Sequence, residues 1–279
     1  MAILFLHIPK AAGTYVDSCV RQANIRSAHE VSNVNALSAA INAKSSYIAG
    51  HFVFEHLTKV AEGWSDYKLV TLIRNPIDRF LSDANYHVEI LKRGGDFLRK
   101  HSDYWQKMIC MTHAAIRQSQ SDGLVQLDHL HDIMLNEYLA MRMLPQSTLE
   151  SVKSSSVSEA SMLIDETLKS YKLVGVVEKG GAGQLLDTVS MELGIDFADS
   201  KPNRNASVNY ISWESIDAKT VSTLRSSRVS NLLYLKILGE PIDGDHVEPS
   251  WDHVNRRAMD VYMQTSAYMN KPVEKLPDI

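Results

Sequence analysis

The chain has 279 residues, of which 44% are hydrophobic and 22% charged, and these proportions are ordinary for a globular protein that buries a large core. A formal net charge of −4 argues against a general nucleic-acid-binding protein, because such proteins carry a clear basic excess. The two cysteines, Cys19 and Cys110, lie in apolar contexts and lack the spacing of metal ligands, so we expect reduced, buried thiols and no metal site.

The N-terminal segment AILFLHI is apolar, but it is too short for a signal-peptide core and leads into Pro9 and Lys10 rather than a cleavage site. No later segment approaches 18 uninterrupted apolar residues, so no membrane span is expected. We therefore expect a cytoplasmic protein whose first segment is a core strand.

Strands and helices alternate in the first third of the chain. We predict strands at 2–8, 25–31, 45–52 and 67–73, and the last of these is an apolar run rich in β-branched residues, as in a central parallel strand. Helical patterns lie between them, the first over 14–24. The alternation predicts an α/β fold with a central parallel sheet flanked by helices.

The rest of the chain is mostly helical. Asn75 and Pro76 provide an N-cap and a first-turn proline for a helix to about Leu91. A strand at 171–178 returns the chain to the sheet, and a polar loop covers 199–210. We expect one domain over residues 1–279, with a helical insertion at about 94–170 and a helical C-terminal tail at about 245–279.

The first candidate site is the segment ILFLHIPKAAGT, in which a strand, a short turn and a helix follow one another. The N-terminus of a helix attracts anions, Gly13 permits close approach, Thr14 offers a hydroxyl, and Lys10 supplies a cation. The Walker pattern is absent, because this lysine precedes the small residues. The segment therefore predicts a phosphate-binding turn, and the alternative is a plain turn with a surface lysine.

The second candidate site is the segment VTLIRNPIDRFLSD. Arg74 follows a buried strand at the carboxyl edge of the expected sheet, where open α/β folds bind ligands, and Ser82 lies two turns into the next helix. A guanidinium with a serine hydroxyl suits a second phosphate. Arg79 either faces this site or forms an ion pair on the helix surface.

Together the two segments resemble the phosphate-binding motifs of sulfotransferases, usually PKTGGT or PKTAST for the 5′-phosphosulfate and RDPxxRxxS for the 3′-phosphate. The chain is most similar to carbohydrate sulfotransferases of the heparan sulfate 2-O-sulfotransferase type, a likeness that AGHFVFEHL and YKLVGVVEKGGAGQLLDTV extend over residues 3–90 and 171–235. Two positions depart from the pattern. Ala11 replaces the usual threonine and Asn75 the usual aspartate, so weaker donor binding is expected.

The resemblance implies a P-loop NTPase-like sulfotransferase fold and the donor 3′-phosphoadenosine 5′-phosphosulfate, with no metal. It assigns Arg74 and Ser82 to the 3′-phosphate. It assigns the following residues to the 5′ side: Lys10, Ala11, Ala12, Gly13, Thr14 and Tyr15. The late loop adds Arg204, Asn205 and Ser207 as candidates that close over the nucleotide.

Sulfuryl transfer needs a base for the acceptor and a cation for the leaving phosphate. Lys10 is placed to stabilise the developing charge, and His51, which matches the catalytic histidine of the resembled family, is the candidate base; the alternative is a structural histidine. Glu55 either orients His51 or is itself the base. His7, inside the predicted first strand, is expected to be buried rather than catalytic.

The acceptor is expected to be a hydroxyl or amine of a carbohydrate or other small molecule, and the sequence does not specify it further. Basic and aromatic residues in 88–117, including Tyr104 and Trp105, either bind such an acceptor or form solvated helix faces. Two other functions stay open: a P-loop-like kinase, which would need a Walker lysine and magnesium-binding carboxylates, and a non-catalytic nucleotide- or glycan-binding module of the same fold.

Overall fold

The fold is taken from a computed structural model, which describes residues 2–60, 63–130, 137–197, 210–212 and 215–240. The chain divides into two compact units, which are considered separately. The first, called the sheet unit, comprises residues 1–74, 139–205 and 229–247. The second, called the helical unit, comprises residues 75–138, 206–228 and 248–279. The single domain expected from the sequence stays a prediction, and its tail from about 245 lies outside the described residues.

The sheet unit is built on five strands. They are β1 (Ala2–Leu6), β2 (Ser27–Ala28), β3 (Tyr47–Gly50), β4 (Tyr67–Ile73) and β5 (Tyr171–Val176). All neighbouring strands pair in parallel, in the order β2-β3-β1-β4-β5. The prediction of an α/β fold with a central parallel sheet is therefore confirmed.

The described residues also form α-helices, which are distributed over both units. In chain order they are α1 (Gly13–Gln22), α2 (Val34–Asn42), α3 (Phe54–Lys59), α4 (Pro76–Lys92), α5 (Gly95–Leu98), α6 (Asp103–Asp122), α7 (Tyr138–Met143), α8 (Gln146–Ser154), α9 (Val157–Leu168), α10 (Gly181–Leu193), α11 (Ala218–Ser226) and α12 (Arg228–Leu238). None of these helices combines the length and the apolar character that crossing a membrane requires. The segment expected as a helical insertion is mostly helical where it is described, and it is divided between the two units.

The central strands are mostly apolar because both faces of the sheet are covered. In β1, residues Ile3 to Leu6 are buried, and in β4 the last five residues are buried. The buried Thr71 hydroxyl donates a hydrogen bond to the Leu6 carbonyl at 2.7 Å, so its burial leaves no unsatisfied polar group.

The strand register brings three loops to the same edge of the sheet. Leu6, the last residue of β1, lies opposite Gly50, the last residue of β3, and opposite Thr71 of β4. Gly50 cannot carry a side chain here, because a Cβ would lie 1.9 Å from the Val31 carbonyl oxygen. The close approach of the Val31 backbone to residue 50 therefore explains why a glycine precedes His51.

The helical unit contains α4, α5, α6 and α11. The Asn75 side chain lies 3.5 Å from the Asp78 amide, at the N-cap position that the sequence predicts for α4. Asn85, buried in α4, accepts hydrogen bonds from the amides of Tyr210 and Ile211 at 2.6 and 3.0 Å. This side chain fixes a distant segment of the chain against α4.

Candidate active site

Chemically active side chains follow four strands of the sheet unit at their carboxyl ends. His7 follows β1, His51 follows β3, Arg74 follows β4, and Glu178 comes two residues after β5. From β1 the chain continues to β2 and β3 on one side and returns to β4 on the other side. Open α/β sheets bind ligands at the point where the strand order reverses, so β1 marks the candidate site.

The loop between β1 and α1, residues 7–12, has an unusual backbone. Lys10 and Ala12 adopt left-handed conformations with φ of 65° and 57°, which cost about 1–2 kcal/mol each for residues other than glycine. Ala12 is the N-cap of α1 and supplies no side-chain acceptor. The amide groups of the first turn are therefore not capped by that side chain, and their dipoles favour an anion.

The predicted ligands of this loop differ in exposure. Ala11 and Gly13 are buried, whereas Thr14 is exposed and Tyr15 is half-buried. A Cβ at Gly13 would lie 2.1 Å from Cδ2 of His7. Gly13 is thus required by the His7 ring, a reason that the sequence did not reveal.

His7 lies between two other rings. It stacks on Phe5 at 5.4 Å between centroids and lies 4.6 Å from the ring of His51. Burial lowers the pKa of His7 to about 3, and the neighbouring His51, Arg142 and Lys10 add to the effect. The strand ends at Leu6, so His7 follows β1 rather than lying inside it as expected.

The pKa of His7 makes stability depend on pH. The unfolded chain, with a pKa near 6.5, binds one more proton than the folded chain at pH values between 6.5 and about 3. The free energy of unfolding is therefore expected to fall as the pH drops through this window, and His7→Gln should flatten the dependence by about one proton. Urea unfolding of both proteins at several pH values measures the slopes, and equal slopes would contradict the prediction.

His51 is exposed, and its tautomer follows from its contacts. Its Nδ1 lies 2.9 Å from the His7 carbonyl oxygen, which can only accept, so Nδ1 carries the proton. In the neutral ring, Nε2 then holds the lone pair that a general base requires. Arg142 donates from Nη1 to the His51 carbonyl oxygen at 2.7 Å and fixes the backbone at this point.

Glu55 contacts the beginning of α8. Its Oε2 accepts a hydrogen bond from the Gln146 amide at 3.1 Å, and its Oε1 lies 3.4 Å from Nζ of Lys59. The hydrogen bond from Gln146 is the main cause of a lowered pKa at Glu55. His51 is oriented by the hydrogen bond that its Nδ1 donates to the His7 carbonyl oxygen. The role of Glu55 as an orienting group or base stays a prediction.

Two substitutions separate the roles of Glu55. Glu55→Ala removes the acceptor at the start of α8 and should lower the melting temperature by about 2–4 °C, the effect of losing roughly 1 kcal/mol of capping. Glu55→Gln keeps an acceptor oxygen and should retain most of this stability. If the Glu55→Gln protein keeps its melting temperature but its turnover number for sulfuryl transfer falls by at least about 100-fold, the carboxylate is a base.

Arg74 is paired within the sheet unit. Its Nε lies 3.9 Å from Oε1 of Glu178, and the two side chains are 30% and 13% exposed. This ion pair holds the guanidinium near the strand ends while leaving part of it accessible. Glu178 and Arg142 were missed by the sequence analysis; the strand-end rule would have identified Glu178, whereas Arg142 lies in α7 with no motif around it.

The remaining predicted ligands lie elsewhere. Ser82 is half-buried on α4, in the helical unit, and its assignment to the 3′-phosphate stays a prediction. Arg204, Asn205 and Ser207 lie outside the described residues. Arg79 pairs with Asp83 at 3.3 Å, but it is only 3% exposed, so the expected surface ion pair is buried instead.

The basic and aromatic segment of the helical unit is partly exposed. Tyr104 is 52% exposed, and the ring of Phe97 has Arg93 at 5.0 Å and Lys100 at 5.5 Å. These contacts are compatible with both interpretations of the segment. Over the described ranges, no group of three or more His, Cys, Asp or Glu residues is arranged to hold a metal ion.

The chain was compared with known proteins. No protein-family model matches it, and no curated protein sequence matches it either.

Proposed function

We propose that this chain is a sulfotransferase that moves the sulfuryl group of 3′-phosphoadenosine 5′-phosphosulfate to a hydroxyl or amine of a carbohydrate or other small acceptor. The observation that carries the proposal is the convergence of three loops at one sheet edge. Lys10 lies four residues beyond Leu6, and Arg74 lies three residues beyond Thr71, the partner of Leu6. Since adjacent strands are about 5 Å apart, the loops that carry Lys10 and Arg74 begin at neighbouring positions on the sheet edge.

The residues present fit a donor with two phosphate-type ends. The strained loop with Lys10 and the uncapped first turn of α1 would hold the 5′-phosphosulfate, and Arg74 would hold the 3′-phosphate. The bound donor supplies the sulfuryl group. An anion-binding turn directly after β1, at the reversal of strand order, also supports the P-loop-like form of the fold.

The side chains of the site have separate tasks in this reaction. His51 accepts the proton of the acceptor at Nε2 as the acceptor oxygen or nitrogen attacks. In the neutral ring, the hydrogen bond to the His7 carbonyl selects the tautomer that has its lone pair on Nε2. Lys10 stabilises the negative charge that develops on the leaving phosphate, an interaction that strengthens in the transition state.

The proposal includes the cytoplasmic location expected from the sequence. Cys19 and Cys110 are free thiols; Cys19 is buried as expected, whereas the expectation of burial is wrong for Cys110, which is exposed. Free thiols fit a reducing compartment.

Calorimetry tests the donor. The purified chain is titrated with 3′-phosphoadenosine 5′-phosphate (PAP) and, separately, with ATP and Mg²⁺. We expect PAP to bind at least about tenfold more tightly, because only PAP presents a 3′-phosphate to Arg74. Tighter binding of ATP and Mg²⁺ would overturn the proposal and favour the kinase.

Transfer is then measured with the radiolabelled donor and a panel of carbohydrate and small-molecule acceptors. Labelled product is the expected result. PAP binding without transfer to any acceptor would instead favour the non-catalytic module of the same fold.

A further inference from the structure

A second group of reactive side chains lies at the edge strand of the sheet unit, outside the site described above. Ser27 belongs to β2, His29 follows β2 directly, and Asp17 lies in the second turn of α1. Nε2 of His29 lies 2.8 Å from Oγ of Ser27, and Nδ1 of His29 lies 2.6 Å from Oδ1 of Asp17. These three residues are called the Ser27 cluster.

The protons of the Ser27 cluster can be placed from its contacts. Burial raises the pKa of Asp17, but hydrogen bonds from His29 and Arg21 outweigh burial and hold this pKa below its ordinary value. Arg21 binds Oδ2 at 2.9 Å, so both carboxylate oxygens are engaged. An ionised carboxylate only accepts, so Nδ1 of His29 carries a proton, and in the neutral ring Nε2 faces the Ser27 hydroxyl with a lone pair.

This tautomer is the one in which an imidazole activates a serine nucleophile. The side chains of His29 and Asp17 are 13% and 15% exposed and are thus shielded from water. Ser27 is half-buried, so this residue is not sealed from solvent. The cluster combines a reachable nucleophile with a sheltered base and a sheltered orienting carboxylate.

We propose that Ser27 is the nucleophile of a second active site, which cleaves activated carboxylic esters. The Ser27 oxygen bonds to the ester carbonyl carbon as its proton passes to Nε2 of His29. The ester C–O bond breaks, and the departing alcohol takes that proton, leaving acyl-Ser27. Water then attacks the acyl group with His29 as base, which releases the carboxylic acid and restores the serine hydroxyl. This chemistry is independent of the proposed sulfuryl transfer.

A fluorophosphonate probe tests the nucleophile in the full-length protein. The Ser27 oxygen displaces fluoride from phosphorus, so labelling reports the activated hydroxyl without a known substrate. We expect stoichiometric labelling at neutral pH, which peptide mass spectrometry locates at Ser27. Ser32, an exposed serine ahead of α2, is the internal reference for unactivated serines.

Variants test the activation. Asp17→Asn preserves shape, and His29→Ala removes the base; each should slow labelling by at least about 100-fold. Ser32→Ala should leave the rate unchanged, and circular dichroism checks that every variant is folded. The proposal is overturned if Ser27 reacts no faster than Ser32, or if folded Asp17→Asn and His29→Ala proteins label at the original rate. In that case the cluster only ties β2 to α1.

Discussion

His51→Ala is expected to lower the turnover number of sulfuryl transfer by about 10²- to 10⁴-fold, the usual contribution of a positioned general base. Affinity for PAP should change by less than about threefold, because the proposal assigns His51 to the acceptor rather than to the nucleotide phosphates. The structure supports a large effect, since the His7 carbonyl fixes the tautomer with its lone pair on Nε2. The imidazole is also exposed.

The measurement is initial-rate transfer from the radiolabelled donor to the acceptor found in the panel, together with calorimetry of PAP binding. His56→Ala is the matched control, because it removes a second histidine from the same segment. This control should change the rate by less than about threefold. A His51→Ala protein that binds PAP and transfers sulfate at the original rate would remove His51 from the mechanism.

Arg74→Ala should weaken PAP binding by roughly 10- to 150-fold, because a hydrogen bond to a charged group contributes about 1.5–3 kcal/mol. The loss should be specific to the 3′-phosphate. Adenosine 5′-phosphate lacks that group, so its affinity for the Arg74→Ala protein should match its affinity for the original chain. Lys10→Ala should instead weaken both nucleotides, since Lys10 is assigned to the phosphate that they share.

Calorimetry with both nucleotides on each variant gives this comparison. Lys68→Ala is the control, because Lys68 is an exposed cation near the amino end of the same strand, β4. It should leave both affinities unchanged. If Arg74→Ala weakens the binding of both nucleotides equally, then Arg74 does not recognise the 3′-phosphate. The proposal that Lys10 and Arg74 bind opposite phosphates of one nucleotide is then wrong.

Local patterns predicted the elements well. The apolar run at 67–73 is β4, residue for residue, and the strand expected at 45–52 is β3 with shorter ends. The strand expected at 2–8 stops at Leu6, because the chain turns between Ile8 and Ala11. The sequence pattern placed His7 and Ile8 in the strand, but both residues belong to the loop between β1 and α1.

The sequence by itself determined that this protein has a parallel sheet and that Lys10, His51 and Arg74 follow strands or sit in strand-to-helix turns. These features depend on hydrophobic periodicity and turn chemistry, which act between residues close in the chain. Only the tertiary structure decided which strand ends are neighbours and which backbone or ring excludes a side chain at Gly50 and Gly13. It also decided that the His7 carbonyl sets the tautomer of His51, and that Asp17 contacts His29. Most of those contacts join residues a dozen or more positions apart, which the helical crossovers between parallel strands bring together; the contact of His7 with Gly13 depends on the turn between them.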